Sequence, residues 1–154
     1  MSKKDCGIWF FGLAGSGKTF ASSIIKPRIS DAFVIDGDDV RRHISFDLGY
    51  TDEDRKIQLQ RVIGLAEIAI KNHKYPIIST VTMNDSILKQ SNVLGLRVVN
   101  IVRSREQVIA ARVGLYQNGK NVVGKDIPQK SIKTEKIKND GSANFKKIVL
   151  NYVE

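Results

Sequence analysis

GLAGSGKT, Gly12–Thr19, is the stretch that decides the fold. It satisfies G-x-x-x-x-G-K-[ST] at every position. It follows a short apolar run, Gly7–Phe11 (GIWFF), and opens a segment with helical character from about Gly17 to Lys26, where Pro27 stops it. That strand–loop–helix setting turns a pattern into a phosphate-binding loop. Glycines let the backbone wrap so that N–H groups point at phosphate oxygens, and the helix start adds the positive end of its dipole. Gly12, Leu13, Ala14, Gly15, Ser16 and Gly17 are therefore nucleotide-binding candidates. Lys18 brings a mobile charge to the β- and γ-phosphates, and the Thr19 hydroxyl suits Mg²⁺. ATP and Mg²⁺ are the expected cofactors.

Outward from this loop, strands and helices alternate. Ala32–Asp36 (AFVID) reads as a second strand. From about Asp52 to Asn72 the apolar positions Leu59, Val62, Ile63, Ala66, Ala69 and Ile70 recur at three- and four-residue steps, which predicts a long helix capped by Thr51 or Asp52. Tyr75–Thr80 and Leu96–Val102 read as buried strands, with helices expected near 84–93 and 104–113. Residues 117–140 carry few apolar side chains and read as a mobile loop region. Phe145, Ile148, Val149, Tyr152 and Val153 step as a closing helix. Such alternation predicts an α/β protein: a P-loop NTPase-type parallel sheet with helices on both faces. The length of 154 residues suits one kinase domain over 1–154, with a short lid around 114–130.

Composition narrows the classes. No run approaches the roughly 18–20 apolar residues of a membrane span. The opening Met1–Asp5 leads into strand residues and makes a poor signal peptide. Cys6 is the only cysteine, so no internal disulfide forms, which fits a cytoplasmic location. At the start of a strand it reads as a small buried side chain, and Trp9 and Phe10 read as core. The formal charge of +9 suits polyanions in general. No aromatic-rich basic signature for RNA or DNA is present, so nucleic acid is not an expected partner. His43 and His73 read as surface residues, and no Cys/His cluster suggests zinc.

The acids sit in an informative place. The third strand ends in Ser79-Thr80 without the metal-holding Asp common in ATPase machines and GTPases, and no N-K-x-D guanine signature occurs. Instead Asp36 and Asp38 follow the second strand. Phosphoryl transfer to a hydroxyl needs an in-line acceptor and a base near its proton. Asp36, at the mouth of the sheet, suits that base. Asp38 suits the same acceptor, or Mg²⁺ through water. Arg41 and Arg55 suit an anionic acceptor, because a guanidinium forks two hydrogen bonds to oxyanions. Tyr50 offers a flat face for a base. Asp52, Glu53, Asp54 and Lys56 read as a solvated helix start. A small-molecule kinase is the reading these features favour.

These blocks resemble the adenylylsulfate (APS) kinase family, which phosphorylates the ribose 3′-hydroxyl of adenosine 5′-phosphosulfate. Beside the loop, DGDDVR (Asp36–Arg41) resembles its D-G-D-N-V-R, and DLGYTDEDR (Asp47–Arg55) its D-L-G-[FY]-[ST]-x-x-D-R. GLY (Gly114–Tyr116) and NVVGKDIP (Asn121–Pro128) resemble K-G-L-Y and N-F-T-G-I-D-D-P. The resemblance implies Asp36 as acceptor-side base, Arg41 and Arg55 on the acceptor's acidic part, Tyr50 on its base, and Arg112 on the ATP side of the lid. It also implies homodimers, although no segment of the sequence marks an interface.

The departures fall on the acceptor side. The family holds adenine between two aromatic rings, whereas the lid position usually Phe is Val122. A lost stacking face removes on the order of 1–3 kcal/mol of base recognition. Thr82 stands for a Ser of F-I-S-P-[YF]-R, and Gln58 for an Asn expected at the acceptor. Some kinases of this family found with bacterial capsule genes act on cytidine diphosphoramidate, and a pyrimidine with one stacking partner suits Tyr50 with Val122. The expected acceptor is thus a nucleotide, with a cytidine nucleotide favoured and APS the alternative. A catalytically degenerate nucleotide-binding module is the non-enzymatic alternative, and a nucleic-acid binder is motivated only by charge.

Overall fold

The structure is a computed structural model and describes residues 4–154; Met1–Lys3, part of the stretch read as a poor signal peptide, lie outside the described residues. The elements run β1 (Gly7–Phe11), α1 (Lys18–Ile25), β2 (Ala32–Asp36), α2 (Gly37–His43), α3 (Asp52–Lys71), β3 (Tyr75–Thr80), α4 (Asp85–Leu94), β4 (Leu96–Val102), α5 (Arg105–Ala111), α6 (Val113–Asn118), β5 (Glu135–Lys138) and α7 (Ala143–Asn151). Among the described residues the strands form one sheet in the order β2-β3-β1-β4-β5. Every pair in it is parallel.

β1 shows why this sequence makes a two-faced sheet. Its side chains alternate sides with a period of two. Ile8 and Phe10 enter one core with Ile25 of α1 and Phe145 and Val149 of α7. Trp9 and Phe11 enter the other, with Leu59, Val62 and Ala66 of α3 and Ile87 of α4. A strand apolar on both sides can be satisfied only in the middle of a covered sheet. Trp9 is fully buried, and its indole N–H donates to Thr80 Oγ1 at 2.8 Å. Trp9→Phe opens a void and takes the indole donor away from the buried Thr80 hydroxyl, so a loss of about 2–4 kcal/mol is expected, read as a lower midpoint in denaturant.

Three sequence expectations change. Residues 117–140 are not one loop: β5 lies within them, pairing Glu135–Lys138 against Val99–Val102. EKIK hides from a hydropathy reading because it is an edge strand with Ile137 alone buried. The Arg97 guanidinium closes this edge with two bonds to Glu135, 2.9 and 2.8 Å, and lies 4.3 Å over the Tyr152 ring. The helix expected near 104–113 breaks at Arg112 (φ −136°, ψ 50°), and a further helix, α6, follows. Cys6 is half-buried rather than buried. The other expected elements form close to their bounds, with Thr51 Oγ1 accepting from Asp54 N as the cap of α3, while α2 is a helix that the sequence pattern does not mark. His43 and His73 are exposed.

The chain leaves β1 towards β2 and leaves β3 towards β4, in opposite directions along the sheet. That reversal opens a crevice at the carboxyl ends of the strands. The loops after β1, β2 and β3 all empty into it.

Candidate active site

The loop after β1 is held from behind. Every carbonyl from Gly12 to Ser16 accepts a hydrogen bond. Lys18 Nζ donates to Gly12 O and Leu13 O, 2.7 and 3.0 Å. Tyr116 Oη donates to Ala14 O at 2.8 Å, Arg103 Nη1 to Gly15 O at 3.0 Å, and Asn139 Nδ2 to Ser16 O at 2.8 Å. Where the carbonyl is tied away from the cleft, as at Ala14, Gly15 and Ser16, the planar peptide turns the amide that follows it the other way. Two amides of this loop are themselves spent internally, Gly12 N on Thr80 O at 3.2 Å and Ser16 N on Leu13 O at 3.0 Å. Gly15 and Gly17 take φ of 88° and 109°, where a side chain is strained, and a Cβ on Gly17 would lie 2.5 Å from Asn139 Nδ2.

In front of the loop lies a cleft of about 670 Å³. It gathers Ala14, Gly15, Gly17, Lys18 and Thr19 on one side, and Asp36, Asp38, Arg41, Tyr50, Arg55, Gln58 and Thr82 on the other. Arg112 and Val122 close it from the segment after α5. Of the residues singled out in the sequence, Gly12, Leu13 and Ser16 do not line this cleft.

Local chemistry explains how each side chain arrives there. Asp36 caps α2: its Oδ1 accepts from Asp38 N at 2.8 Å. The cap points the carboxylate into the crevice and leaves its second oxygen unengaged by that bond. Arg41 Nη1 donates to Gly49 O at 2.7 Å, and its guanidinium lies 4.3 Å over the Tyr50 ring. Arg55 donates Nε to Tyr50 O at 3.1 Å and Nη2 to Asn121 O at 2.9 Å. Both arginines therefore hold the Tyr50 turn while keeping further donors, and Arg55 ties it to the segment after α6. Gln58 Nε2 donates to Gly37 O at 3.1 Å, and its buried Oε1 has no partner among the described residues. Thr82 is half-buried, its carbonyl accepting from Thr80 Oγ1 at 2.8 Å. Val122 packs with Val108 and Tyr116, in a small apolar cluster of its own. Asp52, Glu53 and Lys56 are a surface network, as their spacing implies, with Lys56 Nζ 3.3 Å from Asp52 and 3.2 Å from Glu53.

Lys18 is the electrostatic centre. Burial lowers its ammonium from 10.5 to about 8, against the pull of Asp38 and Asp36, and Arg112 lowers it further. A polyphosphate in the cleft favours the charged form. Nucleotide binding is therefore expected to take up a proton above pH 8 and to need none well below it. Affinity then stays level up to about pH 7 and weakens by up to about tenfold per pH unit beyond 8. Titration calorimetry in buffers of different ionisation enthalpy measures both the Kd and the proton count.

The residues also fit Mg²⁺ in the way that ion is usually held. Among the described residues no cluster of three or more His, Cys, Asp or Glu forms a cage. Mg²⁺ instead takes one or two protein oxygens, substrate phosphates and water. The exposed Thr19 hydroxyl on the first turn of α1 and the Asp36 and Asp38 carboxylates face one cleft.

Arg103 and Asn139 were not picked out by the sequence reading. The one signal for Asn139 is its place in an Asn-Asp-Gly turn after a strand that was itself hidden.

The model of the adenylylsulphate kinase family matches residues 4–128. The adenylyl-sulfate kinase of Pseudomonas entomophila is 39% identical over 69 residues, 42% of this chain and 33% of its own length. The probable adenylyl-sulfate kinase of Halalkalibacterium halodurans is 32% identical over 71 residues, 44% of this chain and 35% of its own. The chain thus matches about a third of the length of these curated relatives. In fold it is similar to the APS kinase of Mycobacterium tuberculosis solved with AMPPNP and APS, with a TM-score of 0.84 over 96% of each chain at 20% identity. A gluconokinase from Sinorhizobium meliloti follows at a TM-score of 0.62 and 17% identity, covering 98% of this chain and 93% of its own. No helix among the described residues is long and apolar enough to cross a membrane.

Proposed function

The chain belongs to the adenylylsulphate kinase family, and from that membership we propose that it transfers the γ-phosphate of Mg·ATP to the ribose 3′-hydroxyl of an activated nucleotide. One observation carries this reading: the phosphate loop with Lys18 and Thr19 shares a single cleft with Asp36, Arg41, Tyr50 and Arg55. A donor site and an acceptor site facing each other across one crevice are what in-line transfer needs.

In this reading the loop amides and Lys18 bind the triphosphate, and Arg112 covers its far side. Thr19 holds Mg²⁺, which supplies charge neutralisation on the phosphate oxygens. The free oxygen of Asp36 takes the proton of the attacking hydroxyl, while its other oxygen stays on the helix cap. Asp38 orients the same ribose. Arg41 and Arg55 offer their remaining N–H groups to the acceptor's anionic tail. The unpaired Gln58 Oε1 accepts from the acceptor, and Thr82 lines its pocket. The segment around 114–130 acts as the lid, and Arg55 already grips its Asn121 O.

For the acceptor, a cytidine nucleotide such as cytidine diphosphoramidate is favoured by the stacking surface. Tyr50 offers one ring, over which Arg41 already lies, and Val122 is packed against Val108 and Tyr116. A purine held between two rings has less to stack on here. Family membership supports APS equally, giving 3′-phosphoadenylylsulfate as product.

The test is ADP release from Mg·ATP with each acceptor in turn, with product masses. A 3′-phosphorylated cytidine product alone supports the first acceptor, and a 3′-phosphorylated APS supports the second. Tight ATP binding with no acceptor-dependent ADP release from either compound, or from a panel of other nucleotides, would leave a binding module and overturn the kinase reading.

A further inference from the structure

A second cavity of about 260 Å³ lies on the other side of the phosphate loop. Leu13 and Ser16 face it, whereas Ala14, Gly15, Gly17 and Lys18 face the front cleft. The loop is thus a partition with a site on one side and an unassigned chamber on the other. The chamber is far larger than the ~10–15 Å³ that admits one water.

Its polarity is the second observation. Four buried side-chain polar atoms lack a partner among the described residues: Ser16 Oγ, Asn100 Oδ1, Arg103 Nε and Gln58 Oε1. The first three belong to residues that line this one chamber. Ser16 is 1% exposed and Asn100 8%, so neither side chain is readily served by bulk solvent. Buried polar groups are nearly always paired, and three unpaired ones around one void mark something that belongs there. The charged lining residues are Arg103, Lys130 and Lys136, with no carboxylate among them. Lys130 is partly neutralised by Asp52, 3.5 Å away. An anion therefore fits and a cation does not.

The geometry points to a second anion site behind the phosphate loop, built by Ser16, Asn100 and Arg103, that takes a phosphate group. Arg103 Nε and the Ser16 hydroxyl donate to phosphate oxygens, with Lys136 adding charge at the rim. Asn100 Oδ1 accepts from the protonated oxygen of hydrogen phosphate; with the amide turned over, its Nδ2 donates instead. The same Arg103 guanidinium holds Gly15 O, so an occupant rests on the residue that fixes the nucleotide loop. The group has two sources, inorganic phosphate or a small phosphate monoester. This site does not depend on the kinase reading.

The test uses the whole protein titrated with inorganic phosphate and, separately, with glycerol 3-phosphate, read by backbone amide shifts. Shifts at Ile101, Ser131 and Ile132 report the rear chamber, and those at Gly17 and Lys18 report the front cleft. Both groups are expected to move, with separate midpoints. Arg103→Met should weaken the rear midpoint by about tenfold to a hundredfold, and Asn100→Leu should weaken it too, by removing a polar partner and narrowing the chamber. Lys136→Gln, an exposed change that leaves the fold alone, should weaken it by a few fold. A crystal grown in phosphate should show a tetrahedral group within hydrogen-bond distance of Ser16 Oγ and Arg103 Nε. Rear movement with inorganic phosphate assigns the free ion, and movement with the monoester alone assigns an organic source. Water alone in the chamber at saturating phosphate, or rear shifts indifferent to all three variants, overturns the proposal.

Discussion

Lys18→Ala is expected to bind ATP on the order of 10²–10⁴-fold more weakly than the parent and to show no measurable transfer. Its ammonium is the one charge held inside the curl of the loop, donating to Gly12 O and Leu13 O. On the proposed reading those donors turn to phosphate oxygens when the nucleotide enters. Charge-assisted bonds of this kind carry about 1.5–3 kcal/mol each, and two of them convert to that range of affinity. Stability should move the other way. Burial holds Lys18 at about 8 rather than 10.5, and a shift of that size costs on the order of 3 kcal/mol when the charged form is folded at pH 7. The sign follows from linkage. Below about pH 8 both states carry the proton and the cost is complete; between about 8 and 10.5 the unfolded chain holds more protons, so stability rises with pH. Lys18→Met, which keeps the stem and removes the charge, should therefore melt higher than the parent at pH 7 and lose that rise. Calorimetric ATP binding and thermal melts across pH check both halves. A variant that binds ATP normally would remove Lys18 from the nucleotide site.

Asp36→Asn should lose about 10²–10⁴ of its turnover while folding and binding ATP like the parent. The size is that of a missing general base. The substitution is clean because of what Asp36 does locally. One oxygen caps α2 by accepting from Asp38 N, and Asn caps a helix as well as Asp. The fold keeps its cap and the site loses only basicity and charge. Single-turnover transfer with a competent acceptor, set beside the ATP Kd and the melting midpoint, separates the three quantities. Near-normal turnover would take the base role away from Asp36. A lowered midpoint would mean the cap had been disturbed and would call for Asp36→Ser as the second probe.

Much of this was written locally. Gly12–Thr19 is a contiguous motif, and β1 carries its two-faced burial in five consecutive residues. One half of the cleft is the loop after β1, and the other runs on from the end of β2 through α2 to the start of α3, so residues far apart in sequence meet once the sheet is parallel. That is why Lys18, Asp36, Arg41, Tyr50 and Arg55 stand out together in the sequence and line one cleft in the structure. The region after Arg112 was read poorly for the opposite reason. β5 is strand-like only because Val99–Val102 stands beside it. Val122 and Val123 look like loop residues until Gly124, Lys125, Asp126 and Ile127 fold back on them through Val122 O and Ile127 O. Charged edge strands and knotted turns have no periodicity to read.

The sequence by itself determined the parallel α/β sheet, the phosphate loop and the acidic and basic residues opposite it, because each is set by period, spacing and the chemistry of neighbours along the chain. Tertiary structure alone decided how the phosphate loop is held, through Arg103, Tyr116 and Asn139 reaching across 88, 102 and 123 residues. It alone decided that Lys18 is buried enough to sit near 8, and that Ser16, Asn100 and Arg103 surround one chamber. Hydrogen bonds and desolvation depend on which groups meet in space, and spacing along a chain carries no record of that.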